Sequence, residues 1–352
     1  MENGISIYSG LNCSLEENLQ LIETAASLGL KRLFTSVLIP EAEADNLEAE
    51  FAAILATAIE NDFEIILDVT PETISTFDFA LDFEQITPRL DDGFNPMQIA
   101  ALSQIRRIML NASTVNEELL ITLTRLEANF SNISALHNFY PHIHTGLDVT
   151  HFQLQNKLLQ GFGISTGAFA ASLNGRRRPP FQEGLPTVEI TRSFSTDFTA
   201  RYLAALGTDF IIISDSLPTY EECSSITNLN AGEAILVIKT LTTDPASLKL
   251  LSQKFRSRYE LSPNVIRAAN SRVIAKELNL IINPEDVQLR SRSPGDITID
   301  NTNFERYMGE VQIVKSNLPP DSRVNIAAQI TETDLMLLEH LSCNQAFSFR
   351  FT

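Results

Sequence analysis

Eight short β-rich runs alternate with helical stretches over the first 217 residues of this chain. Several runs are almost continuously apolar, which is typical of strands buried on both faces of a parallel sheet. Eight such units exceed the roughly five or six of a doubly wound sheet, so the pattern predicts an α/β protein built on a TIM (β/α)8 barrel. The runs are GISIY (4–8), RLFTSVL (32–38), EIILDV (64–69), ITPRL (86–90), RRIML (106–110), ISALHNF (133–139), GFGISTG (161–167) and DFIIIS (209–214).

Amphipathic segments fill the intervals between these strands. Ser14 and Glu17 form a capping-box pattern ahead of apolar residues at helical spacing, which marks the start of a helix. Residues 43–60 and 115–130 carry similar helical patterns. The strand and helix signals therefore alternate as a barrel requires.

The alternation ends after residue 217. Residues 295–330 instead alternate in strand fashion around turns such as LPPDSR, which is typical of β structure. We therefore expect two domains, a barrel over residues 1–230 and a smaller, mostly β domain over residues 231–352.

The composition excludes several classes of partner and location. A formal net charge of −18 disfavours nucleic acid and anionic membrane surfaces as partners, although a local arginine cluster can still bind an anionic small molecule. The chain has neither an apolar run long enough for a membrane span nor the pattern of a signal peptide. Three widely spaced cysteines argue against disulfides and a zinc cluster. These features predict a cytoplasmic protein.

Polar residues follow the predicted barrel strands, where TIM-barrel enzymes carry their active sites. Such a set of acids, amides and a tyrosine suits a hydroxyl-rich ligand, and glycoside hydrolysis needs two carboxyl groups beside the scissile bond. In strand order these residues are Tyr8, Glu41, Asp68, Arg89, Asp91, Asn111, His137, Asn138, Tyr140, then Arg178, Glu189 and Arg192 in the loop after the seventh strand, and Asp215 after the eighth.

Three acids of this set are the catalytic candidates. Crowding among Asp68, Asp91 and Glu189 would raise one pKa and supply a general acid. Each acid also fits a simpler role as the cap of the following helix, and the arginines at 176–178 also fit a solvated loop. The sequence leaves these alternatives open.

The segment HNFYPHIH holds three of the five histidines. His142 and His144 lie beyond the strand, and the chain has no HExxH spacing. YSGLNCS, after the first strand, lacks the glycine spacing of a nucleotide site. We therefore expect no metal and no nucleotide cofactor, and interpret His137 as a hydrogen-bonding group at the end of a strand.

An ordered set of motifs resembles the bacterial 6-phospho-N-acetylmuramidases over nearly the whole chain. The resemblance implies a TIM barrel followed by a cyclophilin-like C-terminal domain. The motifs are GISIY, FTSVLIPE, ILDVTPE, RLDDGF, LNAST, HNFYP followed by TGL, EGLPTVE, GDITIDN, YMGEVQI and LPPDSRVNI.

The resemblance also implies an activity. Such enzymes are cytoplasmic glycosidases of cell-wall recycling that split the β-1,4 bond of 6-phosphorylated MurNAc–GlcNAc and release MurNAc 6-phosphate and GlcNAc, with no metal or organic cofactor. His137 falls on the shared HNFYP motif. The family usually has histidine before the arginine at 192, whereas this chain has Thr191.

The resemblance suggests roles for most of the candidate residues. Two of the three acids would act as proton donor and as nucleophile or base, in an order that the sequence leaves open. The amides and Tyr140 would bind the acetamido and hydroxyl groups. Arg89, Arg178 and Arg192 would bind the 6-phosphate and lactyl carboxylate, and Asn301 is a candidate contact from the second domain.

Two other functions fit the same barrel. One is a sugar-phosphate-binding protein without turnover. The other is an aldolase or isomerase, which usually needs a metal or a lysine at a strand end, whereas Lys31 lies at a strand start. The oligomeric state is not indicated.

Overall fold

The structure, a computed structural model, divides into two compact units, Met1–Ala231 and Gly232–Thr352. No helix within its described residues is both long and apolar enough to cross a membrane. The described residues are 1–36, 47–74, 83–285 and 290–352.

Eight parallel strands close into a barrel in the first unit, which confirms the predicted TIM-type architecture. Neighbours pair in sequence order, and the first strand pairs with the eighth. The strands are β1 (Gly4–Ile7), β2 (Arg32–Ser36), β3 (Glu64–Val69), β4 (Ile86–Leu90), β5 (Ile108–Asn111), β6 (Ile133–Leu136), β7 (Ser165–Ala170) and β8 (Phe210–Ile213).

Helices follow the strands, and most begin at a side-chain cap. The predicted capping box is present, because Ser14 Oγ accepts from the Glu17 N–H at 3.2 Å and the Glu17 carboxylate accepts from the Ser14 N–H at 2.8 Å. The helices of this unit are α1 (Leu15–Ser27), α2 (Leu47–Glu60), α3 (Pro96–Ile105), α4 (Glu117–Arg125), α5 (Val149–Gly161), α6 (Thr196–Ala205) and α7 (Tyr220–Ser225), with 3₁₀ turns at Phe130–Asn132 and Glu189–Thr191.

The seventh strand begins later than the sequence indicates. The run 161–167 was expected to be a strand, but α5 extends to Gly161 and Gly163 has a left-handed φ of 76°. The Gly163 N–H binds Gln160 O and the Ile164 N–H binds Leu159 O, which is the Schellman ending of a helix. The apolar run therefore joins a helix end to a strand start.

Alternation along the strands determines which side chains point into the barrel. Large apolar side chains fill the interior: Tyr8, Phe34, Ile66, Met109, Leu136, Phe169, Phe210 and Ile212. Since side chains two positions apart share a face of a strand, the residues two positions further along point the same way, one layer nearer the C-terminal ends. Asp68, Asn111 and Asn138 are such residues.

The second unit contains a seven-stranded mixed sheet, in agreement with the predicted β-rich domain; its likeness to a cyclophilin stays a prediction. The elements are β9 (Glu233–Thr240), α8 (Pro245–Leu251), β10 (Phe255–Arg256), β11 (Val265–Arg267), α9 (Ser271–Glu277), β12 (Asp296–Asp300), a 3₁₀ segment (Thr302–Tyr307), β13 (Val311–Val314), β14 (Val324–Ile330), α10 (Leu335–Leu338) and β15 (Ala346–Phe351). The strand order in the sheet is β10-β15-β9-β14-β12-β13-β11, antiparallel except for the β15–β9 pair.

Candidate active site

A buried ion pair lies at the C-terminal ends of β3 and β4. Asp68 and Arg89 are register partners of the two strands, and Arg89 Nη1 donates to Asp68 Oδ1 at 2.7 Å. Arg89 is 2% exposed and also donates to Leu136 O at 3.1 Å and to Asn138 Oδ1 at 2.6 Å. The guanidinium therefore joins three strands and orients Asp68 and Asn138. It lies beneath the mouth of the barrel, the opening at the C-terminal ends of the strands, and is not the open phosphate ligand that the sequence indicates.

A second carboxylate lies next to this pair. The Asp91 N–H donates to Val69 O at 3.0 Å, and Asn111 Nδ2 lies 3.4 Å from Asp91 Oδ1. Burial raises the pKa of Asp68 above its ordinary value, the positive charge of Arg89 opposes the rise, and the charge of Asp91 adds to it. Asp68 and Asp91 therefore face one region from neighbouring strands and differ in environment.

His137 points away from the mouth. Its side chain is completely buried, packs on the ring of Phe152 in α5 at 4.8 Å, and binds Asn156 Oδ1 through Nε2 at 2.9 Å. Strand alternation sends His137 outward and Asn138 inward. Burial lowers the pKa of His137 to about 4, so the predicted ligand contact is corrected to a neutral structural histidine.

Ser113 connects His137 to the mouth. Its Oγ accepts the Asn138 N–H at 2.9 Å and lies 3.2 Å from His137 Nδ1. Because Asn156 Oδ1 can only accept, Nε2 of the neutral ring carries the proton and donates to it, which leaves Nδ1 to accept the proton of Ser113 Oγ. The histidine thus supports Asn138 through Ser113.

Glu189 forms a strong ion pair with Arg192. The two guanidinium bonds are 2.6 and 2.7 Å long, and the carboxylate also accepts the N–H groups of His144 and Gly146 at 2.9 and 2.7 Å. The hydrogen bonds from Arg192 lower the pKa of Glu189 to about 2. An acid this firmly ionised is a poor proton donor, and its hydrogen bonds anchor the loop in this structure; a catalytic role as nucleophile or base stays a prediction.

Arg192 also holds the backbone around Tyr140. Its Nη1 donates to Tyr140 O at 3.0 Å and to Gly184 O at 2.9 Å, while the Tyr140 N–H binds Pro186 O. The neighbouring Thr191 is buried and its hydroxyl bonds to Val188 O at 2.7 Å. This part of the site orders loops, and Tyr140, whose side chain is half-buried, lies at the same end of the barrel.

Arg178 lies over aromatic rings at the mouth. Its guanidinium carbon is 4.8 Å from the centre of the Tyr8 ring and 5.6 Å from that of Phe139, within the range of cation–π attraction. Tyr8 is buried, and its hydroxyl donates to Ser214 O at 2.8 Å. Burial raises the pKa of Tyr8 well above its usual range. Tyr8 is therefore a neutral part of the floor, beneath Arg178.

Asp215 is directed at backbone rather than at the open mouth. It is fully buried and accepts the N–H groups of Ser172 and Arg178 at 2.9 and 3.1 Å. Burial raises its pKa to about 6, although these two N–H groups act to lower it. The residue predicted to contact substrate thus holds the loop that carries Arg178.

Two predicted residues lie outside this group. Glu41 is outside the described residues. Asn301 belongs to the second unit, where it is buried, donates to Ser322 O and Asn325 Oδ1, and accepts the Asn303 N–H. These bonds account for Asn301 as the cap of the 3₁₀ segment that follows β12.

The charge of the chain is unevenly distributed. Residues 1–231 hold 30 acidic and 12 basic residues, whereas residues 232–352 hold 14 of each. The barrel unit thus carries the whole net charge. At the C-terminal ends of its strands, Arg89 and Arg192 are paired with Asp68 and Glu189, whereas Arg178 lies over aromatic rings, where it favours an anionic ligand.

Sequence reasoning missed the residues that support this site. Phe139, half-buried and edge-on to Tyr8, Phe34 and Phe169, forms part of the floor. Ser113 and Glu222 act through hydrogen bonds to distant loops. Strand alternation would have turned Phe139 outward with His137, but β6 ends at Leu136, and beyond this end the alternation no longer holds. Within the described residues, no three His, Cys, Asp or Glu side chains are grouped to hold a metal.

Comparisons with known proteins match the whole chain. The protein-family model described as 6-phospho-N-acetylmuramidase, N-terminal, matches residues 3–228, and the family model of the C-terminal part matches residues 235–350. An uncharacterized B. cereus protein is 28% identical over 99% of this chain and 100% of its own, with a TM-score of 0.85. A conserved Enterococcus faecalis protein of unknown function is 25% identical over 100% and 96%, with a TM-score of 0.66. A comparison with curated proteins found no match.

Proposed function

Because the chain belongs to the 6-phospho-N-acetylmuramidase family, we propose that it hydrolyses the β-1,4 bond of 6-phosphorylated MurNAc–GlcNAc. The products are MurNAc 6-phosphate and GlcNAc. The observation that carries the proposal is the pair of carboxylates at the ends of neighbouring strands: Asp68 is in register with Arg89, two residues before Asp91, and the charge of Asp91 acts to raise the pKa of Asp68. A cytoplasmic location, which the resemblance implies, is part of the proposal.

Asp68 is the proposed general acid. Burial favours its protonated form, and Arg89 fixes its orientation at 2.7 Å. It would give its proton to the glycosidic oxygen as the bond to the anomeric carbon of MurNAc 6-phosphate breaks. Asp91 would attack the anomeric carbon or take a proton from the attacking water.

The anionic groups of the substrate need positive partners outside the acid pair. Arg178 meets this need, since its guanidinium lies over Tyr8 and Phe139 at the mouth and can bind a phosphate through two hydrogen bonds. The side-chain oxygen of Asn138 accepts from Arg89. The Nδ2 group of the same amide would then donate to a sugar hydroxyl or to the acetamido oxygen. Asn111 is the second amide at this layer.

The direct test is incubation of the purified protein with the phosphorylated disaccharide and measurement of GlcNAc. We expect release of GlcNAc, with much slower turnover of the unphosphorylated disaccharide. Binding of the phosphorylated disaccharide without release would instead support a sugar-phosphate-binding protein. No binding and no release would reject the proposed substrate.

The roles of the two acids are separable by the leaving group. A nitrophenyl 6-phospho-N-acetylmuraminide needs little protonation of its leaving oxygen. If Asp68 is the acid, Asp68→Asn retains hydrolysis of this glycoside but no longer hydrolyses the disaccharide, whereas Asp91→Asn hydrolyses neither substrate. The reverse pattern would exchange the two roles.

A further inference from the structure

The loop that follows β7 is held by two buried carboxylates from the segment after β8. Asp215 accepts the N–H groups of Ser172 and Arg178, at the two ends of the stretch 172–178 of this loop. Glu222 accepts the N–H groups of Leu173 and Asn174 at 2.8 and 3.0 Å. Together the two acids bind four backbone N–H groups of one seven-residue stretch, 172–178.

Glu222 is itself fixed by α7 and α6. It is 5% exposed, accepts the Thr219 N–H in a capping box, and accepts the hydroxyls of Ser172 and Thr196, both at 2.7 Å. Burial acts to raise its pKa, but these hydrogen bonds outweigh it and leave the pKa below the ordinary value. Glu222 therefore stays ionised and rigid, with bonds to three separate elements.

The stretch 172–178 ends at Arg178, whose backbone and guanidinium are both held in place. Its backbone N–H lies 3.1 Å from Asp215 Oδ1, and its guanidinium lies over the rings of Tyr8 and Phe139. Asp215 does not serve as a cap of α7, because it accepts none of the N–H groups of that helix. It binds instead to the stretch 172–178, which precedes Asp215 in the sequence. Two buried carboxylates thus fix the position of one arginine.

We propose that Asp215 and Glu222 are positioning residues that hold Arg178 for an anionic group of the substrate. The inference rests on the proposed function, in which Arg178 receives the 6-phosphate. An arginine held in one geometry loses less conformational entropy when it binds a phosphate. Neither carboxylate touches the substrate, and each acts through the loop.

The test compares two substrates, the disaccharide with and without its 6-phosphate. We expect Asp215→Asn and Glu222→Gln to lower kcat/KM for the phosphorylated substrate about ten- to a hundredfold, mainly through KM, because displacement of a binding group by about 1 Å has effects of this size. Hydrolysis of the unphosphorylated substrate should change far less. A variant that merely loosens the fold would lower both rates together.

Asp209 provides a matched control. It lies just before β8, and its Oδ2 accepts the N–H and hydroxyl of Thr166 at 2.8 and 3.3 Å. It thus joins β7 to β8 as Asp215 does, but at the opposite end of the strands. Asp209→Asn should lower stability without changing the preference for the phosphorylated substrate.

A double variant tests whether the acids act through Arg178. If they do, Asp215→Asn combined with Arg178→Ala loses no more activity toward the phosphorylated substrate than Arg178→Ala alone. Independent, additive losses, or an unchanged substrate preference in both single variants, would overturn the inference. Absence of GlcNAc release by the wild-type protein would instead overturn the proposed function, so the two failures are distinguishable.

Discussion

Replacement of Arg89 by methionine tests the buried pair at the centre of the site. Methionine has a similar length but no donors, so the change removes the bonds to Asp68, Asn138 and Leu136 O. Loss of one partner of a buried pair costs about 3–5 kcal/mol. Asp68 can relieve part of this cost by binding a proton, because its side chain is 15% exposed. We therefore expect the free energy of unfolding to fall by about 3 kcal/mol, the lower end of this range.

The expected loss is measurable as a melting temperature. At about 2–4 °C per kcal/mol for a domain of this size, Arg89→Met should lower the Tm of the barrel unit by roughly 10 °C. Activity should fall at least about a hundredfold, because Asp68 and Asn138 lose their common support. Calorimetry and a GlcNAc release assay on the same preparations measure both effects.

The same strand offers a matched control. Arg32 and Glu64 are register partners of β2 and β3 at the opposite end of the barrel, and their side chains are 14% and 16% exposed with a 2.8 Å bond. Arg32→Met should therefore lower Tm but leave catalysis intact in the folded protein. Equal activity in the two variants, or an unchanged Tm in Arg89→Met, would refute the account of the pair.

Other predictions concern the supporting residues. Glu189→Gln should lower the free energy of unfolding by roughly 3 kcal/mol near neutral pH. Because folding lowers the pKa of Glu189, this difference between wild type and variant in urea unfolding should vanish as the pH falls from about 4.5 to about 2. A constant difference would contradict this. In NMR titrations, His137 should stay neutral down to about pH 4, and protonation near 6.5 would refute its placement. Gly167→Ala would put Cβ 2.1 Å from the Phe210 ring and should cost about 1–3 kcal/mol in thermal denaturation; a neutral effect would contradict the packing.

The barrel was predictable because its signal is local. Strands buried on both faces are almost continuously apolar, and their number alone separates a barrel from an open sheet. Boundaries were less predictable where glycine ends a helix, as at Gly163, because an apolar run does not show where the helix ends and the strand begins.

The site was only partly predictable. Asp68 and Asp91 follow strands, and the strand ends of a parallel barrel must meet. The roles of His137 and Glu189 depended on facts that the sequence does not carry. His137 faces outward because Leu136 before it faces the barrel interior, and the apolar run 133–139 does not show which alternate side chains face inward. Glu189 meets Arg192 on a short 3₁₀ turn. Glu222 was missed because its five partners come from separate segments.

The most direct test of the central claim is the rate of GlcNAc release from the phosphorylated disaccharide by four folded proteins: the wild type, Asp68→Asn, Asp91→Asn and Glu189→Gln. The account predicts release by the wild type, a loss of at least about a thousandfold in each aspartate variant, and substantial activity in Glu189→Gln below its melting temperature. Near wild-type rates in both aspartate variants would contradict it.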